Sequence, residues 1–401
     1  MERIVSARLM SGWNGPQRVA PVHGALDAPS LMPRTYGATL DEAVRTLGGL
    51  AGQRDETLPT VVVGTTGPVS GRGVVVTFEG WRGGVVRLGG RRLGEATTVI
   101  PAAVLAGALA AGEAFAMLRG EVEAGRRTLD LSLWRPADDW LGPANDGPAL
   151  TALPYHLWVL GLGHLGQAFL WTLLLCPFPD PSRVRLTLHH MDFITGSTDS
   201  TSILTQAAMV GRRKTRAVAE VLEARGFSTT LIERPFDGRF EHDARIDPAV
   251  LVCGVDNALA RARLEMPRFP LVVEAGLGHS VKDYRAMRLH TFPSQGKGAA
   301  ELWQGGYASH APALDRPAYR VLAEGGGDIC GLTQLPQTAV GVPFVGTVAG
   351  TLMLAQLLRL LAGDPLDVVL DLDLGSLRSR RVVPAAKPPA AVPSFQTLRH
   401  G

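Results

Sequence analysis

The chain has 401 residues, a formal net charge of +3, 46% hydrophobic residues and 19% charged residues. This composition excludes a disordered or fibrous protein, and the small charge gives no reason to expect nucleic acid or an anionic membrane as a partner. The three cysteines, Cys176, Cys253 and Cys330, include no C-x-x-C pair, which argues against a disulfide framework or a four-cysteine zinc site. We therefore expect a globular protein of the reducing cytoplasm.

Residues 1–150 predict a smaller α/β domain. The first segment, MERIVSARLMSGWNGP, lacks an apolar run of signal-peptide length. Helices are predicted in TLDEAVRTLGGLAG and in the Ala-rich PAAVLAGALAAGEAFAML, with strands in TVVVG and GVVVTFEGW between them. The Ala-rich helix carries Glu113, and a later apolar helix carries Gln356 and Arg359, so neither is expected to span a membrane. No catalytic pattern appears in this domain.

Residues 151–383 predict a second, larger domain. The Gly/Pro/Asn-rich segment LGPANDGPALTALP is the best candidate for the linker. Beyond it, strands are predicted in HLWVLG, VRLTLHHMD, STTLIERP, AVLVCGVD and PLVVEAG, and helices follow the first two of them. This alternation is typical of an α/β fold with a doubly wound, Rossmann-like and mostly parallel sheet.

The rest of the chain is less regular in sequence. Residues 279–328 are rich in Gly, His, Pro and Ser, with little periodicity, and predict an irregular segment. An apolar helix in VGTVAGTLMLAQLLRLLAG and a strand in PLDVVLDLDLG are expected to follow. Residues 384–401 are rich in Pro and Ala and predict a flexible tail.

A glycine turn joins the strand HLWVLG to an apolar helix. Gly161, Gly163 and Gly166 form a G-x-G-x-x-G pattern, in which a helix N-terminus can bind a nucleotide phosphate. Asp192 ends the next predicted strand, where a carboxylate can accept a ribose hydroxyl. Glycines also serve close packing, and an aspartate here could be a turn residue. These two features suit NAD and ATP equally well.

Two later features favour ATP with Mg²⁺. Lys214 starts an amphipathic helix just after Arg213, and from there its side chain can reach back to the glycine turn. Asp256 and Asn257 follow a buried strand, and Mg²⁺ on a triphosphate is held by one or two carboxylates plus the phosphates. Lys214 could instead be a solvated helix-start lysine, and Asp256 could be a helix cap.

Taken in order, these motifs resemble the adenylating domain of the ubiquitin-activating, ThiF/MoeB-like superfamily over residues 155 to about 275. That family has a strand followed by G-x-G-x-x-G, a strand-end Asp, vG-x-x-K and D-N-x-x-x-R. The pattern is matched here by Gly161, Gly163, Gly166, Asp192, Gly211, Lys214, Asp256, Asn257 and Arg261. The resemblance implies that Asp192 binds ribose, Lys214 binds phosphate and Asp256 binds Mg²⁺, and we include Arg213 and Asn257 in the expected ATP site.

The reaction implied by the resemblance is attack by the C-terminal carboxylate of a ubiquitin-like or sulfur-carrier-like protein on the α-phosphate of ATP. The products are an acyl-adenylate and pyrophosphate. The family also implies a homodimer, or a pseudo-dimer in which residues 1–150 form a degenerate adenylation-like half. That segment has no glycine fingerprint, so we expect a homodimer with an accessory N-terminal domain.

One family motif is missing. The family has S-N-L-x-R-Q after the strand-end Asp, whereas this chain has STDSTS at residues 197–202, with Thr201 in place of the Arg. Arg212 or Arg213 could supply the charge, as could an arginine of a partner subunit. The alternatives are a non-catalytic nucleotide-binding scaffold, a small-molecule or peptide adenylyltransferase on the same fold, and an NAD-dependent oxidoreductase, which would leave Lys214 and Asp256 unexplained.

Cys330 lies beyond the adenylation motifs, where related activating enzymes carry a cysteine that takes the acyl group from AMP. A thiolate is a strong nucleophile, so a thioester on Cys330 and transfer to a conjugating enzyme are expected from the resemblance. Cys176, inside a predicted apolar helix, and Cys253, inside a predicted apolar strand, are expected to be core residues. His164, in the glycine turn, is expected at the surface. His189, His190, His279 and His290 show no metal-binding spacing.

Overall fold

A computed structural model describes residues 21–22, 30, 35–47, 49–51, 58–64, 69–142, 147–237, 239–278, 283–294, 296–304, 341–386 and 393–398. The chain divides into two compact units, Met1–Gly147 and Pro148–Gly401. This division lies close to the predicted domain boundary between residues 150 and 151.

The first unit is built on a four-stranded sheet with a long helix packed against it. Its described helices are α1 (Leu40–Thr46) and α2 (Ile100–Leu118), and its strands are β1 (Pro21–Val22), β2 (Leu50–Ala51), β3 (Thr60–Val62), β4 (Gly73–Glu79), β5 (Arg82–Arg87) and β6 (Leu129–Ser132). The sheet order is β3-β4-β5-β6, and only the β3–β4 pair is parallel. Gly83 lets α2 approach the sheet closely, because a Cβ there would lie 2.2 Å from the carbonyl oxygen of Ala102. The strand β5 was not predicted, since RGGVVR contains two glycines.

The second unit is built on an eight-stranded sheet in the order β10-β9-β8-β11-β12-β13-β14-β15. The first five strands in this order are mutually parallel, and the last three are antiparallel to their neighbours. The strands are β7 (Ala152–Pro154), β8 (His156–Leu160), β9 (Arg185–His189), β10 (Ser228–Ile232), β11 (Val250–Cys253), β12 (Leu271–Leu277), β13 (Ala286–Phe292), β14 (Asp367–Asp373), β15 (Arg381–Pro384) and β16 (Phe395–Thr397). The predicted fold class, a doubly wound and mostly parallel sheet, is confirmed.

The described residues of this unit form six α-helices. They are α3 (His164–Leu174), α4 (Gly196–Thr201), α5 (Lys214–Glu223), α6 (Ala258–Ala262), α7 (Ala299–Leu302) and α8 (Pro343–Leu361). Helices α3 and α8 pack against each other, and α8 also contacts β12 and β13. Trp158, Leu251 and Phe292 belong to one fully buried apolar cluster of this unit.

Two predictions for the second unit were wrong. Strand β13 lies inside the segment predicted to be irregular; its sequence, AMRLHTF, does not alternate because four consecutive residues of the strand are buried. Strand β16 lies inside the predicted flexible tail and pairs antiparallel with β7. The buried Gln396 holds it by exchanging hydrogen bonds with the backbone of Asp180. A three-residue strand flanked by Pro-rich sequence gives no periodic signal.

Helices α2 and α8 are long and apolar enough to cross a membrane by length and composition alone. Most of each apolar window is buried inside the protein, 67% for α2 and 89% for α8. Their charged residues are paired internally: Glu113 with Arg127, and Arg359 with Asp364.

Candidate nucleotide site

The predicted site residues follow the carboxyl ends of three neighbouring parallel strands. Gly161 follows β8, Asp192 lies three residues after β9, and Asp256 lies three residues after β11. Strand β8 lies between β9 and β11, so the chain runs outward from β8 to β10 and then crosses to β11 on the other side. Ligands of open α/β sheets bind in the crevice at such a switch point.

The glycine turn is shaped by backbone contacts. Gly161 has φ +89°, a conformation that favours glycine, and a Cβ on Gly166 would lie 1.8 Å from the carbonyl oxygen of Gly161. A Cβ on Gly163, by contrast, would meet nothing within 4 Å. Gly163 is the N-cap of α3 and no side chain caps this helix, so the first N–H groups of α3 begin beside open space.

Two side chains hold the peptide groups of Leu162, the residue between the first two glycines. The N–H of Leu162 donates to Nδ1 of His190 at 3.3 Å, and its carbonyl oxygen accepts from Nε2 of Gln167 at 3.0 Å. Gln167 is fully buried, and its Oε1 accepts a hydrogen bond from the N–H of Leu204 at 3.0 Å. Sequence reasoning missed both residues. Only the position of His190 beside Asp192 could have indicated its role.

Asp192 and Lys214 lie together, as predicted. Oδ2 of Asp192 is 3.9 Å from Nζ of Lys214 and 3.2 Å from Nε2 of His190. The N–H of Lys214 also donates to the carbonyl of Asp192 at 3.1 Å. Contact with His190, together with the charges of Lys214 and Arg213, lowers the pKa of Asp192 against the opposing effect of partial burial. Asp192 is therefore an ionised hydrogen-bond acceptor at neutral pH, with a side chain that is 57% exposed.

The two arginines before Lys214 are engaged elsewhere. The guanidinium of Arg213 stacks over Phe193 at 4.4 Å from the ring centroid and donates to the carbonyl of Met191. Arg212 forms an ion pair with Glu220 at 2.9 Å. A phosphate-binding role for Arg213 stays a prediction.

The segment STDSTS, where the family has its motif arginine, forms helix α4. The side chain of Thr195 caps α4 in a capping box with Thr198, and the hydroxyl of Thr201 donates to the carbonyl of Ser197 at 2.8 Å. These hydroxyl groups are used within the helix.

Asp256 is exposed at the end of β11, and Asn257 is the N-cap of α6. Oδ1 of Asn257 accepts from the N–H groups of Leu259 and Ala260, so a contact of Asn257 with a cofactor would have to come from its amide nitrogen. Among the described residues, no group of three or more His, Cys, Asp or Glu side chains could hold a metal ion. The donor set fits a Mg²⁺ bound by the Asp256 carboxylate together with nucleotide phosphates.

His164 was predicted at the surface, and the structure leaves its side chain only partly exposed. Its ring packs against the start of α8, where a Cβ on Gly346 would lie 2.7 Å from its Cδ2 and a Cβ on Gly341 would lie 3.0 Å from its Nδ1. Burial lowers the pKa of His164 to about 4; nearby Asp256 opposes this shift and Lys214 adds to it. His164 is thus a neutral imidazole beneath the glycine turn, and its Nε2 is buried without a hydrogen-bond partner.

Arg261, the last residue of the sequence motif, points into the protein interior. It forms a buried ion pair with Glu274 of β12 and stacks over Trp303 at 4.8 Å from the ring centroid. Glu274 also contacts His290 of β13 at 2.8 Å. This cluster ties α6, which begins two residues after Asp256, to the neighbouring strand β12.

The cysteines differ in what the structure describes. Cys176 and Cys253 are buried, as predicted, and burial raises the pKa of each thiol to about 12. Cys176 lies just after the end of α3 rather than inside it. Cys330 and His279 lie outside the described residues.

The sheet and its glycine turn define a Rossmann-like nucleotide-binding class. The sequence matches two family models, the BilD N-terminal domain at residues 18–133 and the BilD C-terminal domain at residues 153–364. It is 44% identical over 349 residues to the bacterial E1-like protein BilD of Collimonas sp. (strain OK412), covering 85% of this chain and 75% of that protein. The chain therefore belongs to the BilD family of E1-like proteins. The resemblance inferred from the motifs is confirmed at this level.

Solved structures are more distant. PaaA is 15% identical with a TM-score of 0.37, covering 57% of this chain and 72% of that one. MccB of E. coli, in a structure with ATP, is 12% identical with a TM-score of 0.39, covering 80% of this chain and 97% of that one.

Proposed function

We propose that the chain is an ATP-dependent adenylating enzyme for the C-terminal carboxylate of a ubiquitin-like or sulfur-carrier-like protein. The observation that carries the proposal is the convergence, at one edge of the sheet, of an open glycine turn, the Asp192–Lys214 pair and the exposed Asp256. Membership of an E1-like family supports the same class of reaction.

In the proposed reaction, a carboxylate oxygen of the carrier attacks the α-phosphorus of ATP. The bond from that phosphorus to its bridging oxygen breaks, and pyrophosphate leaves. Lys214 and the N–H groups at the start of α3 stabilise the negative charge that builds on the phosphates, and Asp192 accepts hydrogen bonds from the ribose hydroxyls. A Mg²⁺ held by Asp256 and the phosphates would supply further neutralisation of the leaving group.

The proposal includes a second step on Cys330. The thiolate attacks the acyl carbon of the adenylate, a C–S bond forms, the C–O bond to AMP breaks, and AMP leaves with the electron pair. The thioester would then pass to a conjugating partner in the cytoplasm. The high thiol pKa values of Cys176 and Cys253 support Cys330 as the nucleophile, because neither of the other two cysteines supplies a thiolate near neutral pH. We also propose a homodimer, which light scattering at micromolar concentration would test; a monomer would contradict it.

The first step is tested by ATP–pyrophosphate exchange with purified β-grasp proteins as candidate carriers. Asp256→Ala and Lys214→Ala should each lower carrier-dependent exchange by roughly 100-fold or more, as expected when a group that stabilises the transition state is removed. The matched controls are Asp243→Ala and Lys297→Ala, which remove surface partners of Arg245 and Glu301 and should leave exchange unchanged.

The main alternative is a non-catalytic nucleotide-binding scaffold. It is favoured by Thr201 at the position of the family's arginine and by the engagement of Arg212 and Arg213 in other contacts. Binding of Mg·ATP without exchange, for every carrier tested, would support the scaffold. Tight binding of NADH that ATP does not compete with would instead favour an oxidoreductase.

The second step is tested by a non-reducing gel. The wild type should form a carrier adduct that disappears with a thiol reductant, whereas Cys330→Ala should keep pyrophosphate exchange and form no adduct. A reductant-sensitive adduct in Cys330→Ala would assign the transfer to another residue.

A further inference from the structure

We propose that His190 is a positioning residue of the nucleotide site, which holds the glycine turn through Nδ1 and orients the ribose-binding carboxylate of Asp192 through Nε2. The inference rests on the proposed binding of ATP at this site, and it concerns a residue that no sequence motif assigned.

The first contact fixes the tautomer of the ring. Nδ1 of His190 accepts a hydrogen bond from the backbone N–H of Leu162 at 3.3 Å, so Nδ1 carries no proton and the neutral ring carries its proton on Nε2. Leu162 lies between Gly161 and Gly163, and its carbonyl is held from the other side by the buried Gln167. His190 therefore sets one of the two hydrogen bonds that fix the peptide groups of this residue.

The second contact reaches Asp192. Nε2 of His190 is buried and lies 3.2 Å from Oδ2 of Asp192, but the two are not aligned as a hydrogen bond in this structure. The Asp192 side chain is 57% exposed and can rotate. A ribose hydroxyl that engages one carboxylate oxygen would leave the other for the N–H of His190, which then has an aligned acceptor. His190 thus restricts an otherwise mobile carboxylate to orientations that suit the ribose.

The two contacts can be removed separately. In His190→Asn, the side-chain oxygen lies near the position of Nδ1 and can still accept from Leu162, but nothing reaches Asp192. In His190→Gln, the longer side chain can place an N–H near the position of Nε2 and still donate to Asp192, while the Leu162 N–H loses its acceptor. If His190 only filled space, the two variants would not differ in how much their nucleotide affinity depends on the ribose hydroxyls.

The test is calorimetry of the full chain with Mg·ATP and with Mg·2′,3′-dideoxy-ATP, which lacks the hydroxyls that Asp192 would bind. The wild type should prefer ATP by about tenfold or more, as for a hydrogen bond to a charged group. Asp192→Ala and His190→Asn should lose this preference while binding the dideoxy nucleotide as the wild type does, which also shows that both variants are folded. His190→Gln should keep the preference for ATP and should bind both nucleotides more weakly than the wild type by the same factor.

Retention of the wild-type preference by His190→Asn would overturn the inference. If His190→Asn bound both nucleotides more weakly by the same factor and kept the preference for ATP, His190 would serve packing alone. That result would also overturn the inference. A wild type that binds ATP without preferring the ribose hydroxyls would overturn the inference and leave ATP binding standing. A wild type that binds neither nucleotide would contradict the proposed function as well.

Discussion

Two glycines of the same turn should respond in opposite ways to the addition of one methyl group. A Cβ on Gly163 would meet nothing within 4 Å, whereas a Cβ on Gly166 would lie 1.8 Å from the carbonyl oxygen of Gly161. If the open space at Gly163 is where the phosphates pass, Gly163→Ala should leave the fold intact and impair ATP binding. Gly166→Ala should impair the fold itself.

The magnitudes follow from the local geometry. Gly163 has φ −75° and ψ −166°, an extended backbone that any residue adopts. Alanine at this position should stabilise the protein by about 0.4–1 kcal/mol because the unfolded chain becomes less flexible. It should destabilise the protein by a similar amount because alanine is a poorer N-cap than glycine. The Tm should change by less than about 2 °C. The overlap at Gly166 is of the kind that costs about 1–3 kcal/mol. At roughly 2–4 °C per kcal/mol for a unit of this size, the Tm should fall by about 2–12 °C.

Thermal unfolding and calorimetry with Mg·ATP measure the two effects side by side. Gly163→Ala should keep the wild-type Tm and lose about tenfold or more in ATP affinity, about 1.4 kcal/mol. Wild-type ATP affinity in Gly163→Ala would refute the assignment of the open space to the phosphates. An unchanged Tm in Gly166→Ala would refute the packing argument.

Three further outcomes are expected. Iodoacetamide at pH 8 should modify the native protein at Cys330. It should spare Cys176 and Cys253, because burial raises the pKa of each thiol to about 12. Peptide mapping that finds a label on Cys176 or Cys253 would contradict their burial. Burial lowers the pKa of His189 to about 4, so between pH 6.5 and 4 the unfolded chain takes up a proton that the folded chain does not, and stability falls as the pH falls. Between pH 7 and 5, His189 should lower the free energy of unfolding by about 2 kcal/mol. Urea unfolding of His189→Gln should therefore show a free energy that falls by about that much less over the same pH range. An equal pH dependence in the variant and the wild type would contradict this. Arg359→Leu leaves Asp364 and Asp367 without their buried cation and should lower the free energy of unfolding in urea by about 3–5 kcal/mol. Arg288→Ala breaks the largely exposed pair with Asp371 and should lower it by less than about 1 kcal/mol. Similar losses in the two variants would contradict this distinction between buried and exposed ion pairs.

The parallel strands could be predicted because most of them are short apolar runs bounded by turn residues, and β8, β9 and β11 are each followed by a helix. In the antiparallel half, β14 was predicted from PLDVVLDLDLG, but β13 and β15 were not. Strand β13 carries Arg288 and His290, and the buried His290 has its polar partner, Glu274, on the neighbouring strand. Such a partner is invisible in a local sequence window. Strand β16 is held by Gln396, whose partner Asp180 is 216 residues away in sequence.

The site shows the same division. Gly161, Asp192, Lys214 and Asp256 could be predicted, because each follows directly from a strand end or a helix start. The contacts that orient them could not, since they join residues distant in the chain, such as the bond from Leu162 to His190. The packing of His164 could not be predicted either, because it depends on Gly341 and Gly346, which are distant in sequence. At these two positions the absence of a side chain leaves room for the His164 ring.

The central claim is that a carboxylate oxygen of a carrier protein forms a bond to the α-phosphorus of ATP. The most direct measurement uses a carrier whose C-terminal carboxylate is labelled with ¹⁸O in both oxygens, followed by mass spectrometry of the AMP released on transfer to a thiol. Thiol attack breaks the bond between the acyl carbon and oxygen, so the account predicts AMP that carries one ¹⁸O atom. Unlabelled AMP, or label in inorganic phosphate instead, would contradict it.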